Sequence, residues 1–190
     1  MATLIYSAIC SLDLYINDAG GSFEWAAPDE QVHAFVNEQQ RPVGTYLLGR
    51  GTYDTLKVWD TFGSDPEESD AVREFASIWR SADKVVYSAT LGDVETARTR
   101  IERDFDPVVV RAMVDAAERD VSVGGARLGA TALRAGIVGR VELYLTPVVV
   151  GGGTRALPDD VRLGLELLAT ERFDHGVVYL SYALRGSRAD

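Results

Sequence analysis

The sequence predicts an α/β fold: a single three-layer domain with a mainly parallel central sheet, helices on both faces and an antiparallel hairpin at its C-terminal edge. Three observations carry this. β-rich apolar runs alternate with helix-periodic segments along most of the chain, the order expected of crossover-connected parallel strands. The length, 190 residues, suits one domain on a prior of roughly 100–200 residues per domain. The last two strand-like runs, Leu163–Phe173 and Val177–Leu184, are joined only by Asp174-His175-Gly176, which permits a hairpin and no crossover.

The elements follow in order. Leu4–Ile9 is β-rich and reaches Ser11-Leu12-Asp13, after which Asn17–Ser22 has turn chemistry. A helix is expected from Pro28 to about Gln40, with proline in its first position and Val32, Phe35 and Val36 on one face. Thr45–Leu48 reads as a buried strand ending at Gly49-Arg50-Gly51-Thr52, with Thr52 as the cap of a helix through Trp59. Asp65–Ser81 opens with acids and places Val72, Phe75, Ala76 and Trp79 on one helical face. Strands are expected at Lys84–Ser88 and Arg98–Arg103. Pro107 then starts a helix with Val109, Met113 and Ala116 inward. Strand Val121–Val123 runs into Gly124-Gly125, a helix from about Arg127 to Ala135, the stop signal Gly136 and a long β stretch from Arg140 to Val150. No internal repeat, low-complexity tract or interdomain linker interrupts this order.

Composition narrows the function. A formal charge of -10 repels nucleic acid and anionic membranes unless a local basic patch compensates, and the arginines are scattered among acids. Nucleic acid and membrane are therefore poor partners, while a phosphate-bearing cofactor remains possible at helix N-termini and a few arginines. Cys10 is the only cysteine, which excludes an internal disulfide and a multi-cysteine metal site and suits the cytoplasm. The N-terminal apolar run lacks a basic flank and breaks at Asp13, so it reads as a strand rather than a leader. No stretch approaches the ~20 apolar residues of a membrane helix. His33 and His175 are isolated, and no metal is expected. The patterns G-x-G-x-x-G, G-x-S-x-G and the P-loop are absent.

Two glycine turns are the residues that could carry chemistry. Val123-Gly124-Gly125-Ala126-Arg127 lies between a buried strand and a helix; it is either a sharp structural turn or a place where exposed N–H groups and the helix dipole receive a phosphate. Gly49-Arg50-Gly51-Thr52 offers glycine, a cation and a hydroxyl at another strand's C-terminal end, the edge where open α/β sheets bind ligands. The aromatic residues Tyr15, Phe23 and Trp25 are either core or the flat walls of a heterocycle site.

Taken in order, Ser11-Leu12-Asp13 with Ile16, Gly49-Arg50 with Thr52-Tyr53, Val86 with Ser88, Val123–Ala126, Leu133 with Ala135–Val138, and Pro147–Gly153 resemble the dihydrofolate-reductase-like superfamily over nearly the whole chain. The resemblance is closest to the reductase domain of bacterial bifunctional riboflavin-biosynthesis deaminase-reductases. It implies NADPH, or NADH, bound by Gly49, Arg50, Thr52, Ser88, Val123, Gly124, Gly125, Ala126 and Arg127. It also implies Asp13, Trp25 and Glu30 at the substrate, with Glu30, Asp29 and Asp13 as the catalytic acids. A carboxylate at the start of the first helix would accept a substrate N–H and help protonate the ring if burial favoured its neutral form; the alternative is an ordinary acidic first turn favoured by the helix dipole.

Two positions depart from the family pattern. Ala89 stands where arginine often follows the serine and would pair with a 2′-phosphate, leaving Arg98 or Arg100 as substitutes. Leu14 replaces the glycine after the aspartate, so a different turn is expected there.

The reading that results is hydride transfer to a pterin-like or (ribosylamino)pyrimidine-like substrate, in which the cofactor carries the chemistry and the protein orients it. The rival is a non-catalytic nucleotide- or ligand-binding module on the same fold, and a third reading is a structural homodimer joined through Tyr144–Val150. The deaminase signature, H-x-E with P-C-x-x-C, is absent, so a stand-alone reductase domain is expected.

Overall fold

Helix caps and glycine turns set most element boundaries in the computed structural model, which describes residues 1–65 and 67–185. The chain forms two compact units, one of Met1–Ala2 with Pro28–Gly125, the other of Thr3–Ala27 with the chain from Ala126 onward.

The first unit contains α1 (Glu30–Gln40), β3 (Val43–Gly49), α2 (Arg50–Leu56), α3 (Asp70–Ser81), β4 (Asp83–Tyr87), β5 (Thr99–Glu102), α4 (Pro107–Ala116) and β6 (Asp120–Gly124). Its strands lie in the order β5-β4-β3-β6, and every pair is parallel. Val43, Tyr46, Leu48, Tyr53, Trp79 and Val86 form its core, with Leu56 and Trp59 packed against them. Each fully buried side chain of this kind contributes roughly 1.5–3 kcal/mol. The core also holds a lysine: Lys84 is buried, with Nζ donating to the carbonyls of Trp79 at 2.9 Å and Ala82 at 3.0 Å. Burial pulls its pKa down.

The second unit contains β1 (Leu4–Ser11), β2 (Tyr15–Asn17), α5 (Ala126–Arg134), β7 (Arg140–Thr146), β8 (Thr154–Arg155), β9 (Gly164–Arg172) and β10 (Val178–Arg185). β1 and β7 are parallel. β10 runs antiparallel to both β7 and β9, which is the expected C-terminal hairpin. Gly129 of α5 lies directly on the Tyr6 ring, where a larger residue would collide.

Several local expectations are corrected. Helix α1 starts at Glu30 rather than Pro28, because Asp29 takes the cap: its backbone is extended and its carboxylate accepts the Val32 N–H at 2.8 Å. Helix α3 begins at Asp70, capped by Ser69, not at Asp65. Gly49, not Thr52, caps α2, which ends at Leu56 before a 3-10 turn through Asp60. In α4 the inward residues are Val110 and Val114, while Val109 and Ala116 are exposed. Three successive valines cannot fix the helical phase, and the Asp106 cap with Pro107 does so instead. Finally, β7 stops at Thr146: Pro147 has no N–H to donate, and Gly151 and Gly153 turn with positive φ.

Candidate functional site

In the first unit the two glycine turns lie side by side. Parallel pairing aligns Leu48 of β3 with Gly124 of β6, so both turns emerge at the carboxyl ends of neighbouring strands. Gly125 adopts φ +92, and a Cβ there would collide with Thr52 Oγ1; a Cβ on Gly124 would press on the Leu48 and Thr52 side chains. Thr52 is therefore the wall against which the Gly124-Gly125 backbone is laid. At Gly125 no side chain fits, and Thr52 closes that face of the turn.

Arg50, first residue of α2, reaches the loop after β4, where its guanidinium donates to Thr90 Oγ1 at 3.1 Å and lies 3.5 Å from Asp54. Arg103, just beyond β5, reaches the same loop and donates to the carbonyls of Ser88 at 3.0 Å and Leu91 at 2.7 Å. Among the described residues Arg103 has no carboxylate partner. Ser88 itself is buried, and its hydroxyl oxygen accepts the N–H groups of Thr90 and Leu91. The residue thus shapes the loop between two cations. Tyr87 and Phe105, edge to face at 5.0 Å, flank it.

The arginines expected to substitute at Ala89 are each held in an exposed ion pair. Arg98 is held by Asp83 at 2.9 Å and Arg100 by Glu102 at 3.2 Å. Arg98 enters at the opposite end of β5, since Lys84 is paired with Thr99 and Tyr87 with Glu102. Arg103, which the sequence analysis did not single out, is a cation that reaches this loop. The signal was available, because parallel pairing of the β4 and β5 runs carries the residue after β5 to Ser88.

At the start of α1, Asp29 is committed to its cap, whereas Glu30 is exposed. His33 is half-buried against Trp59 and Phe75, with burial depressing its pKa.

In the second unit the loop after β1 is zipped to the loop after β7. The Leu12 N–H donates to the Val148 carbonyl at 2.8 Å, and the Ala156 N–H to the Leu14 carbonyl at 2.8 Å. Asp13 Oδ1 and Oδ2 accept the N–H groups of Val150 at 3.2 Å and Gly151 at 2.8 Å. Thr154 N–H donates to Asn17 Oδ1 at 2.8 Å, and Tyr6 OH donates to the Ala156 carbonyl. The Ser11 hydroxyl first, then the Gly151 and Val150 amides, hold the Asp13 carboxyl below the usual carboxylate range. Leu14 takes φ +64, a glycine-like turn despite its side chain. That corrects the expectation of a different turn, at a strain of about 1–2 kcal/mol.

Tyr15 lies under the Arg155 guanidinium, 5.3 Å from ring centroid to Cζ, and Phe23 is exposed. Trp25, in a 3-10 turn at Glu24–Ala26, is half-buried, and its indole N–H is buried with no acceptor among the described residues. A cavity of about 480 Å³ is lined by Ala126, Arg127, Thr131, Arg134, Thr154 and Arg155, among others. Arg134 is neutralised by Asp160 at 2.9 Å and Arg155 by Asp159 at 3.1 Å. Arg127 makes no ion pair among the described residues.

These features define an α/β protein of the dihydrofolate-reductase-like fold, with a mainly parallel sheet and an antiparallel edge. The chain belongs to the RibD C-terminal domain family, whose model matches residues 2–179. This is a family of reductase type. The chain is 26% identical over 186 residues to the uncharacterized protein YyaP of Bacillus subtilis (strain 168), covering 96% of this chain and 95% of that one. Its structure is similar to that of a proposed riboflavin biosynthesis protein of Shewanella sp. PV-4, with a TM-score of 0.74, 19% identity and coverage of 96% and 99%. It is also similar to dihydrofolate reductase of Enterococcus faecalis in complex with NADP(H), with a TM-score of 0.64, 15% identity and coverage of 96% of each chain.

Proposed function

We propose that the chain is a single reductase domain over residues 1–190 that uses NADPH, with NADH as the lesser alternative. It would reduce a small pterin-like or (ribosylamino)pyrimidine-like heterocycle. The observation that carries this reading is that two glycine turns meet at the carboxyl ends of the neighbouring strands β3 and β6, with Thr52 of one laid against Gly124-Gly125 of the other.

Gly49, Thr52, Val123, Gly124 and Gly125 would shape the phosphate cradle. Arg50 and Arg103, over the loop shaped by Ser88, support recognition of a 2′-phosphate and hence NADPH. A bound nicotinamide would supply the hydride. The chain's own contribution is orientation. The unpartnered Trp25 N–H is a donor suited to a heterocycle oxygen or nitrogen, because a buried donor left unsatisfied costs about 1–3 kcal/mol. Glu30 is the acid free to relay a proton, since Asp29 serves as a cap.

The test is titration with NADPH and NADH, followed by reduced-nicotinamide fluorescence and thermal shift. Saturable binding with NADPH preferred supports the reading, and binding of neither removes it. The second reading, a non-catalytic ligand-binding homodimer, is favoured by the engagement of Asp13 and Asp29. Cofactor binding without oxidation across a pterin and pyrimidine screen would select it.

Among the described residues no helix is long and apolar enough to cross a membrane, and we place the protein in the cytoplasm. A homodimer is proposed as well; within Tyr144–Val150, Tyr144 and Thr146 are buried and Val149 is 66% exposed. β9 is an edge strand and is exposed along its whole length.

A further inference from the structure

We propose that Asp13 is a positioning residue that ties the loop after β1 to the glycine-rich loop after β7, and so sets the shape of the substrate-facing segment, rather than a proton donor. The proposal rests on the reductase reading for its functional consequence, but the tie itself stands on geometry.

Each Asp13 carboxylate oxygen accepts its own backbone N–H, from two successive residues, Val150 and Gly151. Two adjacent amides can converge on one carboxylate here because Gly151 turns with φ +73. Gly153 then brings the chain so close to the Asn17 carbonyl that no side chain would fit. Thr154 bonds to Asn17 Oδ1, Tyr15 pairs with Arg155, and Ala156 bonds to Leu14. Residues 14–17 and 154–156 are thereby fastened in antiparallel register, while Leu12 and Asp13 hold residues 148–151 alongside in the parallel sense of β1 and β7. Leu14 is held in its left-handed turn within this register, so the strained backbone is retained by the contacts on both sides of it. A carboxylate receiving two amides and the Ser11 hydroxyl is stabilised as the anion. Donating a proton to substrate would require the protonated form, which these same donors oppose.

The experiment compares wild type with Asp13→Asn in the full chain. Amide hydrogen exchange at Val150 and Gly151 is read by NMR, and NADPH affinity by fluorescence. An asparagine can accept only one of the two amides and turns an N–H toward the other. Exchange should rise at least about tenfold at the amide that faces the new N–H, with NADPH affinity within about twofold of wild type. Unchanged exchange overturns the proposal.

If wild type turns over 5-amino-6-(5-phosphoribosylamino)uracil or dihydrofolate, the variant should raise KM and leave the shape of the kcat pH profile intact. Loss of a pH limb together with collapse of kcat would instead make Asp13 the acid. If Asp13→Asn does not fold, wild type suffices. The Asp13 carboxyl carbon and the amides of Val150 and Gly151 should then titrate with one common midpoint below the ordinary aspartate value, and separate midpoints overturn the tie. Failure of NADPH to bind wild type removes the reductase reading while the exchange result still decides the role of Asp13.

Discussion

The hydroxyl oxygen of Thr52 occupies the space that a side chain on Gly125 would need. Gly125→Ala should therefore combine the left-handed penalty at φ +92 with a collision. A loss of about 2–4 kcal/mol is expected, along with loss of cofactor binding. Adding Thr52→Ala removes the collision but not the backbone strain. A double-mutant cycle by urea denaturation should show favourable coupling of about 1–2 kcal/mol, and strict additivity would mean that the two turns do not touch.

Arg103 lies over the loop at Ser88 with no carboxylate partner among the described residues, and only backbone carbonyls restrain it. If it receives a 2′-phosphate, Arg103→Gln should weaken NADPH by about tenfold, corresponding to about 1.4 kcal/mol, and leave NADH unchanged. Arg98→Gln should affect neither cofactor. Equal weakening of both cofactors by Arg103→Gln would assign the arginine to loop stability instead.

His33 makes stability pH-dependent in a defined direction. Burial lowers its native pKa below the ordinary 6.5, so in the range just below that value the unfolded chain binds a proton that the native ring resists. The contribution is fully present above about pH 6.5 and is lost as pH falls below it, with a slope of at most about 1.4 kcal/mol per pH unit. Chemical denaturation between pH 7.5 and 5 should show a shallower decline for His33→Gln than for wild type. Identical slopes would place the acid sensitivity elsewhere.

On β9, Leu165, Leu167 and Leu168 are 38%, 53% and 53% exposed, an unusual display for a regular strand of nine residues with one open edge. Sedimentation should find a dimer, and Leu167→Glu with Leu168→Glu should give a monomer that keeps its affinity for NADPH. A monomeric wild type ends the homodimer reading.

Much of this fold could be read without coordinates. The alternation of apolar runs with helical periodicity placed β1, β3, β4, β6 and β10 to within a residue or two, because each is bounded by glycine, proline or charge. Boundaries failed where two local signals competed. Asp29 displaced Pro28 as the start of α1 because its carboxylate satisfies an otherwise unpaired N–H. The apolar run through Val150 was cut at Thr146 by Pro147 and by glycines whose positive φ no alternation pattern reveals.

The sequence by itself determined the order of elements, the two glycine turns and the family, since these depend on local residue chemistry and spacing. Tertiary structure alone decided which charged groups are free to act. Asp13 and Asp29 are identical to any other aspartate until the backbone amides they meet are known. Arg103 rather than Arg98 stands over Ser88 because the register between β4 and β5 puts it there. Register is a property of paired strands, so a single run of residues does not encode it alone.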